Sequence, residues 1–311
     1  MKKIAFTALA LAVSAGSAIA ADLPSRKAPV MPPPPPMWTG FYAGLNAGGL
    51  WSNNSSINNV SYGLYNDPAA PAFSTGTIAA LSATGNITGS SNSGFIGGGQ
   101  IGYNWQIGNV GGLGFGSGFV TGIEADIQGI AGSTGQGNFF GAAVGPAVGT
   151  NPVVQFSPVT IGQARQNLSY IGTVRGRLGF LAMPTLLIYG TGGLAYGGAN
   201  LNIAYATADT FATTPYGGAG SSTSYANTQV GWTAGGGAEW MVFPNWSVKA
   251  EYLYYDLGSV QASTVVAGVN PAGANSFAYT TTASTRFNGN IVRAGVNYHF
   301  NWGAAPVVAK Y

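Results

Sequence analysis

The chain has 311 residues, of which 6% are charged, 46% hydrophobic and 12% aromatic, with a formal net charge of +3 and no cysteine. Ordinary globular proteins carry roughly 25% charged residues, so a soluble chain of this length could hardly cover itself with so few. The same composition excludes disulfide scaffolds, thiolate metal sites and cysteine nucleophiles, and it offers nucleic acid no basic stripe.

Residues 1–20 read as a secretory signal peptide. Lys2 and Lys3 precede an apolar run from Ile4 to Val13, and Ala18 and Ala20 form a small-x-small cleavage site before Ala21. The apolar core is too short to anchor the chain, and beyond it no run of about 20 apolar residues suits a spanning helix. Helical membrane proteins are thereby excluded, and loss of Lys2 and Lys3 leaves the mature chain nearly neutral. Residues 21–37 form a proline-rich periplasmic linker, in which Pro32 to Pro36 favour an extended polyproline II conformation. A ligand for a proline-recognition domain is the sharper alternative.

From Trp38 onward eight segments have the length and alternation of strands: Thr39 to Trp51, Ser93 to Trp105, Ser117 to Gly129, Leu168 to Leu181, Thr185 to Gly198, Thr228 to Val242, Trp246 to Leu257 and Gly289 to Phe300. Eight is the smallest usual number for a membrane barrel. Short links at Met183–Pro184 and Phe243 to Asn245, with a Gly-rich link from Gln106 to Gly116, read as periplasmic turns. The long stretches rich in Ser, Thr, Asn, Gly and Ala (52–92, 130–167, 199–227 and 258–288) read as extracellular loops, parts of which continue as strands above the membrane. Both termini then lie on the periplasmic side.

Parity separates two faces, because successive side chains of a strand point to opposite sides. One face collects Phe119, Ile123 and Ile127; Tyr170, Val174, Leu178 and Phe180; Trp232, Ala234, Ala238 and Trp240; Val248, Ala250, Tyr252 and Tyr254; and Val292, Val296, Tyr298 and Phe300. The other collects Glu124, Asp126, Arg175, Arg177, Glu239, Lys249, Glu251 and Arg293, four acids with four bases. As the whole solvated face of a soluble sandwich that set is too poor in charge. Inside a barrel, where charges must pair or cost several kcal/mol each, its balance is what pairing requires. Trp38, Phe41, Phe180, Tyr189, Trp240, Phe243, Trp246, Tyr298, Phe300 and Trp302 cluster near the periplasmic strand ends, as an interfacial aromatic belt would.

The opening WTGFYAGLNAGG after a proline-rich leader, the repeated G-x-G patterns and the ending NIVRAGVNYHFNWGAAPVVAKY carry a resemblance. The chain resembles the small outer-membrane β-barrel proteins of alphaproteobacteria, porin-family surface proteins related to the OmpA-type eight-stranded domain. The resemblance implies an abundant envelope protein that supports outer-membrane integrity and exposes surface loops, with some relatives acting as surface antigens or haem binders. It also implies that an aromatic-ended last strand is read by the barrel-assembly machinery, and Val296, Tyr298 and Phe300 match that alternation. Here Asn301 to Tyr311 follow Phe300, so either Phe300 or Tyr311 could be the residue read.

Sharper chemistry finds little support. The run Gly97 to Gly102 matches G-x-G-x-x-G but lies within a strand rather than at the start of a helix. His299, the only histidine, lacks partners for a metal site or a catalytic triad. Glu124 and Asp126 could pass for paired glycosidase carboxylates, yet pairing with Arg175, Arg177 or Arg293 accounts for them. Haem capture would rest on scattered loop residues such as Tyr62, Tyr65, Tyr216 and Tyr225, with Asp67, Asp209, Arg165 and Arg286 as the only charges among them.

The expectation is therefore an all-β protein: an eight-stranded antiparallel up-and-down transmembrane barrel over 38–301 and a tail over 302–311, placed in the cell outer membrane. The expected role is non-enzymatic, without a cofactor, supporting envelope structure and surface presentation. Its expected partners are outer-membrane lipid and lipopolysaccharide, the assembly machinery during insertion, and envelope or surface partners. A porin-like path opens if the interior pairs exchange partners.

Overall fold

A computed structural model describes residues 38–53, 56–66, 81–87, 93–107, 118–132, 134–142, 159–211, 214–269 and 276–300. The signal peptide, the proline linker, the C-terminal tail with Trp302, and most of the Gly-rich link lie outside the described residues. Eleven strands make up nearly all of what is described: β1 (Gly40–Ser52), β2 (Ile57–Asn66), β3 (Leu81–Ile87), β4 (Ser93–Ile107), β5 (Phe119–Ala131), β6 (Thr134–Ala142), β7 (Val159–Met183), β8 (Leu186–Phe211), β9 (Thr214–Phe243), β10 (Trp246–Val269) and β11 (Ser276–Phe300).

Eight of them close into a ring in the order β1-β4-β5-β7-β8-β9-β10-β11, with β11 returning to β1. The closing seam runs antiparallel from Phe41 opposite Phe300 to Ser52 opposite Gly289. Closure leaves no unpaired edge in the membrane, the condition a strand protein must meet in lipid. Tight turns at residues 184–185 and 244–245 join β7 to β8 and β9 to β10. Asn245 adopts a φ of 146°, unusual for a non-glycine residue. It is tied to the last strand there, since its Nδ2 donates to His299 O at 2.8 Å and its own carbonyl accepts from His299 N at 2.7 Å.

The outer face of this ring is apolar. Ile101, Ile123, Val174, Leu178, Leu194 and Val296 all point away from the lumen and are exposed, as are Trp240, Phe243 and Trp246 near the turns. Two members of the anticipated periplasmic belt do not belong to it: Trp38 and Tyr189 are buried inside the ring. Trp38 precedes β1 and turns into the lumen, where its indole N–H reaches Pro184 O at 3.1 Å; Tyr189 has the inward parity of β8, shared with Leu187.

The strands β7 to β11 are 24 to 30 residues long, well beyond the roughly 10 that cross a bilayer. Their upper parts occupy much of the stretches anticipated as loops, and the shorter strands join them there. β2 pairs with the upper half of β11, β3 pairs with β2, and β6 pairs with β7. Two four-stranded sheets result above the membrane, β3-β2-β11-β10 and β6-β7-β8-β9. The β9–β10 ladder ends at Asp256 opposite Trp232, where Gly258, at a φ of 80°, accompanies a register shift between Asp256 and Ser259. Beyond that point side chains link the two sheets: Tyr205 Oη donates to Thr264 O at 3.3 Å, and Ser221 and Thr264 share a hydroxyl hydrogen bond of 2.7 Å. Ile57, Leu201, Ile203, Tyr205 and Ala283 form an apolar cluster between the sheets.

Candidate functional site: the filled lumen

The lumen of the membrane ring is occupied in layers. At the periplasmic end Trp38, Val120, Leu181, Leu187, Tyr189 and Met241 make an apolar floor. The eight charged residues of inward parity come next, none more than 5% exposed. Above them Leu50, Ile96, Ile171, Leu253, Tyr255 and Ile291 contribute to a second apolar layer.

Strand register sets the first pairs of the charged layer. Glu124 lies opposite Arg175 and Glu251 opposite Arg293, so these pairs form between neighbouring strands. Arg175 then reaches further, touching Glu124 at 2.5 Å, Asp126 at 3.0 Å and Glu251 at 2.9 Å. Arg293 bonds Glu251 at 2.5 Å and Asp126 at 2.8 Å. Lys249 faces Glu239 across its own ladder, yet its Nζ meets Glu124 at 2.8 Å. Since β10 and β5 are opposite each other in the ring, that contact crosses the whole lumen. Nearer the floor, Arg177 bonds Glu239 at 2.6 Å and lies over the Tyr189 ring at 4.1 Å.

Uncharged side chains complete the layer, and parity alone did not single them out. Tyr42 donates to Glu124 at 2.7 Å and accepts from Arg177 at 2.9 Å. Ser247 and Asn297 donate to Glu239 at 2.6 and 2.7 Å, while Thr173 donates to Asp126 at 2.8 Å. His299 joins them through Ser247 at 2.9 Å and stacks edge-on with Trp38. Glycines on the same inward face leave the necessary room: a Cβ at Gly102 would strike the Tyr42 ring, and one at Gly48 would meet Arg293. Their inward parity beside large partners was the available signal.

Chemically, each of the four carboxylates is held by at least one cation, so none stands as a free acid or base. Among the described residues no three His, Asp or Glu side chains gather as a metal site. The Gly97 to Gly102 run is strand in β4. Of the tyrosines considered for haem, Tyr225 packs against the inner apolar clusters and accepts a hydrogen bond from Gln229; the side chains of Tyr62, Tyr65 and Tyr216 lie outside the described residues. On the outer face of the last strand, Val296, Tyr298 and Phe300 stand in alternation, with Tyr298 and Phe300 in edge contact at 5.0 Å.

No family model matches the chain. Over 304 residues, 96% of this chain and all of the relative, it is 33% identical to the 31 kDa outer-membrane immunogenic protein of Brucella melitensis. The chain belongs to that family. As a member of the 31 kDa outer-membrane immunogenic protein family it is an outer-membrane β-barrel, with the apolar outer belt facing lipid. A second relative, the 22 kDa outer membrane protein of Rhizobium leguminosarum, is 29% identical over 164 residues, 52% of this chain and 53% of the relative. Among solved structures, OprG of Pseudomonas aeruginosa aligns with 11% identity over 85% of this chain and 99% of its own, at a TM-score of 0.29. For this family member the closed ring is read from its own strand register, which needs no support from so distant a likeness.

Proposed function

We propose that the protein is a non-enzymatic structural barrel that supports the envelope, keeps its lumen closed to solutes and presents its upper sheets at the cell surface. The observation that carries this reading is the charged layer itself, which joins opposite walls through Lys249 and Glu124 and lies between two apolar layers. A water-filled path would have to separate buried ion pairs, at a cost of several kcal/mol for each charge left without a partner. The name of the Brucella relative, an immunogenic protein, fits the surface role. Insertion would use the outward alternation of Val296, Tyr298 and Phe300 as its recognition signal.

A gated path is the second reading, and one observation favours it. Arg177 Nε, Arg293 Nη1 and both amide atoms of Asn104 are buried without a partner, as groups beside internal water would be. The two readings separate in cells. Deleting the gene should raise sensitivity to detergents, and restoring the wild-type protein should reverse it without altering uptake of small solutes. Unchanged detergent sensitivity after deletion would contradict the structural role.

A further inference from the structure

Outside the lumen, the outer face of β11 carries a second feature. Both neighbours of this strand are interrupted at one level. On one side β1 ends at Ser52 opposite Gly289 and β2 takes over at Asn58 opposite Ser284. On the other side the β10 register shifts between Asp256 and Ser259, and Ser259 faces Arg286. The double interruption opens a groove lined by Asn53, Asn58, Gln261, Ser284, Arg286 and Asn288, together with three further hydroxyl residues.

Every lining side chain is polar, and none is acidic. Asp256 lies beside the groove and holds Arg286 with a two-pronged contact, at 3.2 Å from Nε and 2.5 Å from Nη2, while Arg286 keeps 55% of its side chain exposed. Amides, hydroxyls and a guanidinium held by Asp256 supply donors and acceptors side by side. That arrangement matches the neighbouring hydroxyls of a sugar.

Height on the strand identifies which sugar. The outward residues of β11 are apolar from Phe300 to Val292, and Asn290, bonded to Tyr252, marks the change to polar ones. Arg286 lies further along the same face, roughly 10 Å above that boundary for a strand tilted by about 40°. The headgroup zone on each side of a bilayer adds only about 5–8 Å to the hydrocarbon, so the groove sits where a phospholipid headgroup ends and a glycolipid continues. We propose that this groove holds the inner sugars of lipopolysaccharide, the glycolipid of the outer leaflet. The inference does not depend on whether the lumen conducts.

The test uses the full mature protein in detergent, purified rough-type lipopolysaccharide as the probe, and native mass spectrometry to count retained molecules. Wild type should retain lipopolysaccharide in preference to phosphatidylglycerol. Asn58→Ala combined with Gln261→Ala, and separately Arg286→Ala, should weaken retention by about tenfold. The double variant avoids the Asp256–Arg286 pair and so keeps the test standing if Arg286→Ala does not fold. Equal retention by the folded double variant, or of phosphatidylglycerol by wild type, would overturn the proposal. So would equally strong binding of the delipidated core oligosaccharide, which would point to a soluble polysaccharide instead.

Discussion

Below Asn290 the ring is apolar outside and holds an ionic layer inside; above it the outward face of β11 is polar from Asn288 to Thr282, and an apolar cluster lies between the two upper sheets. β11 passes through both regimes with one parity. In its lower half Phe300, Tyr298, Val296 and Val292 face outward while His299, Asn297 and Arg293 face the lumen. In its upper half Arg286, Ser284 and Thr282 face outward while Phe287, Ala283 and Tyr279 are buried together with Thr285 and Thr281. The strand does not turn over. What changes is the medium around it, lipid below and water above, and the outward face of the strand follows that change from apolar to polar. The layer of Leu50, Ile96, Leu253 and Ile291 inside the ring is where the two patterns meet.

The two halves should therefore fail differently. Arg175→Ala removes the shared partner of Glu124, Asp126 and Glu251, and breaking a buried ion network in this way costs about 3–5 kcal/mol. Urea unfolding, followed by the heat-modifiable gel mobility of the folded barrel, should show a correspondingly lower midpoint. In the upper half, Leu201→Ala should cost about 3 kcal/mol through a cavity between the sheets. There the expected sign is proteolysis of the extracellular strands from outside the cell while the membrane ring keeps its folded mobility.

The outer faces give a sharper contrast. Val174→Arg puts a charge on the lipid face near the middle of the membrane part of β7 and should destabilise by about 2–4 kcal/mol in the same urea assay. Thr282→Arg adds the same side chain to an outward position of the upper sheet and should stay within about 0.5 kcal/mol of wild type. Similar losses at both positions would mean that the boundary near Asn290 is misplaced.

Much of the lower half could be read from sequence. The tyrosines and valines of β10 alternate with Lys249 and Glu251, and the low overall charge settles which face meets lipid. Pairing partners could not be read in the same way: Lys249 passes over Glu239, its cross-strand neighbour, and reaches Glu124 on the far wall. Tyr42, Ser247 and Asn297 carry no charge and so gave parity arguments nothing to sort. Trp38 and Tyr189 look like interfacial aromatics because strand-end Trp and Tyr usually are, but the floor of the lumen needed bulk and took them inward. The upper strands were harder still. β2, β3 and β6 are rich in Gly, Ser, Thr and Asn, and their order comes from pairing, β2 and β6 with long strands of the ring and β3 with β2, rather than from their own hydrophobic alternation.

The central claim is that the charged layer and its two apolar neighbours close the lumen, and single-channel recording tests it most directly. Wild-type protein, refolded and shown to be folded by its heat-modifiable mobility, should stay silent in a planar bilayer across the accessible voltage range. Stable, reproducible conductance steps from that same folded protein would contradict the account and make the interior charges the lining of a path.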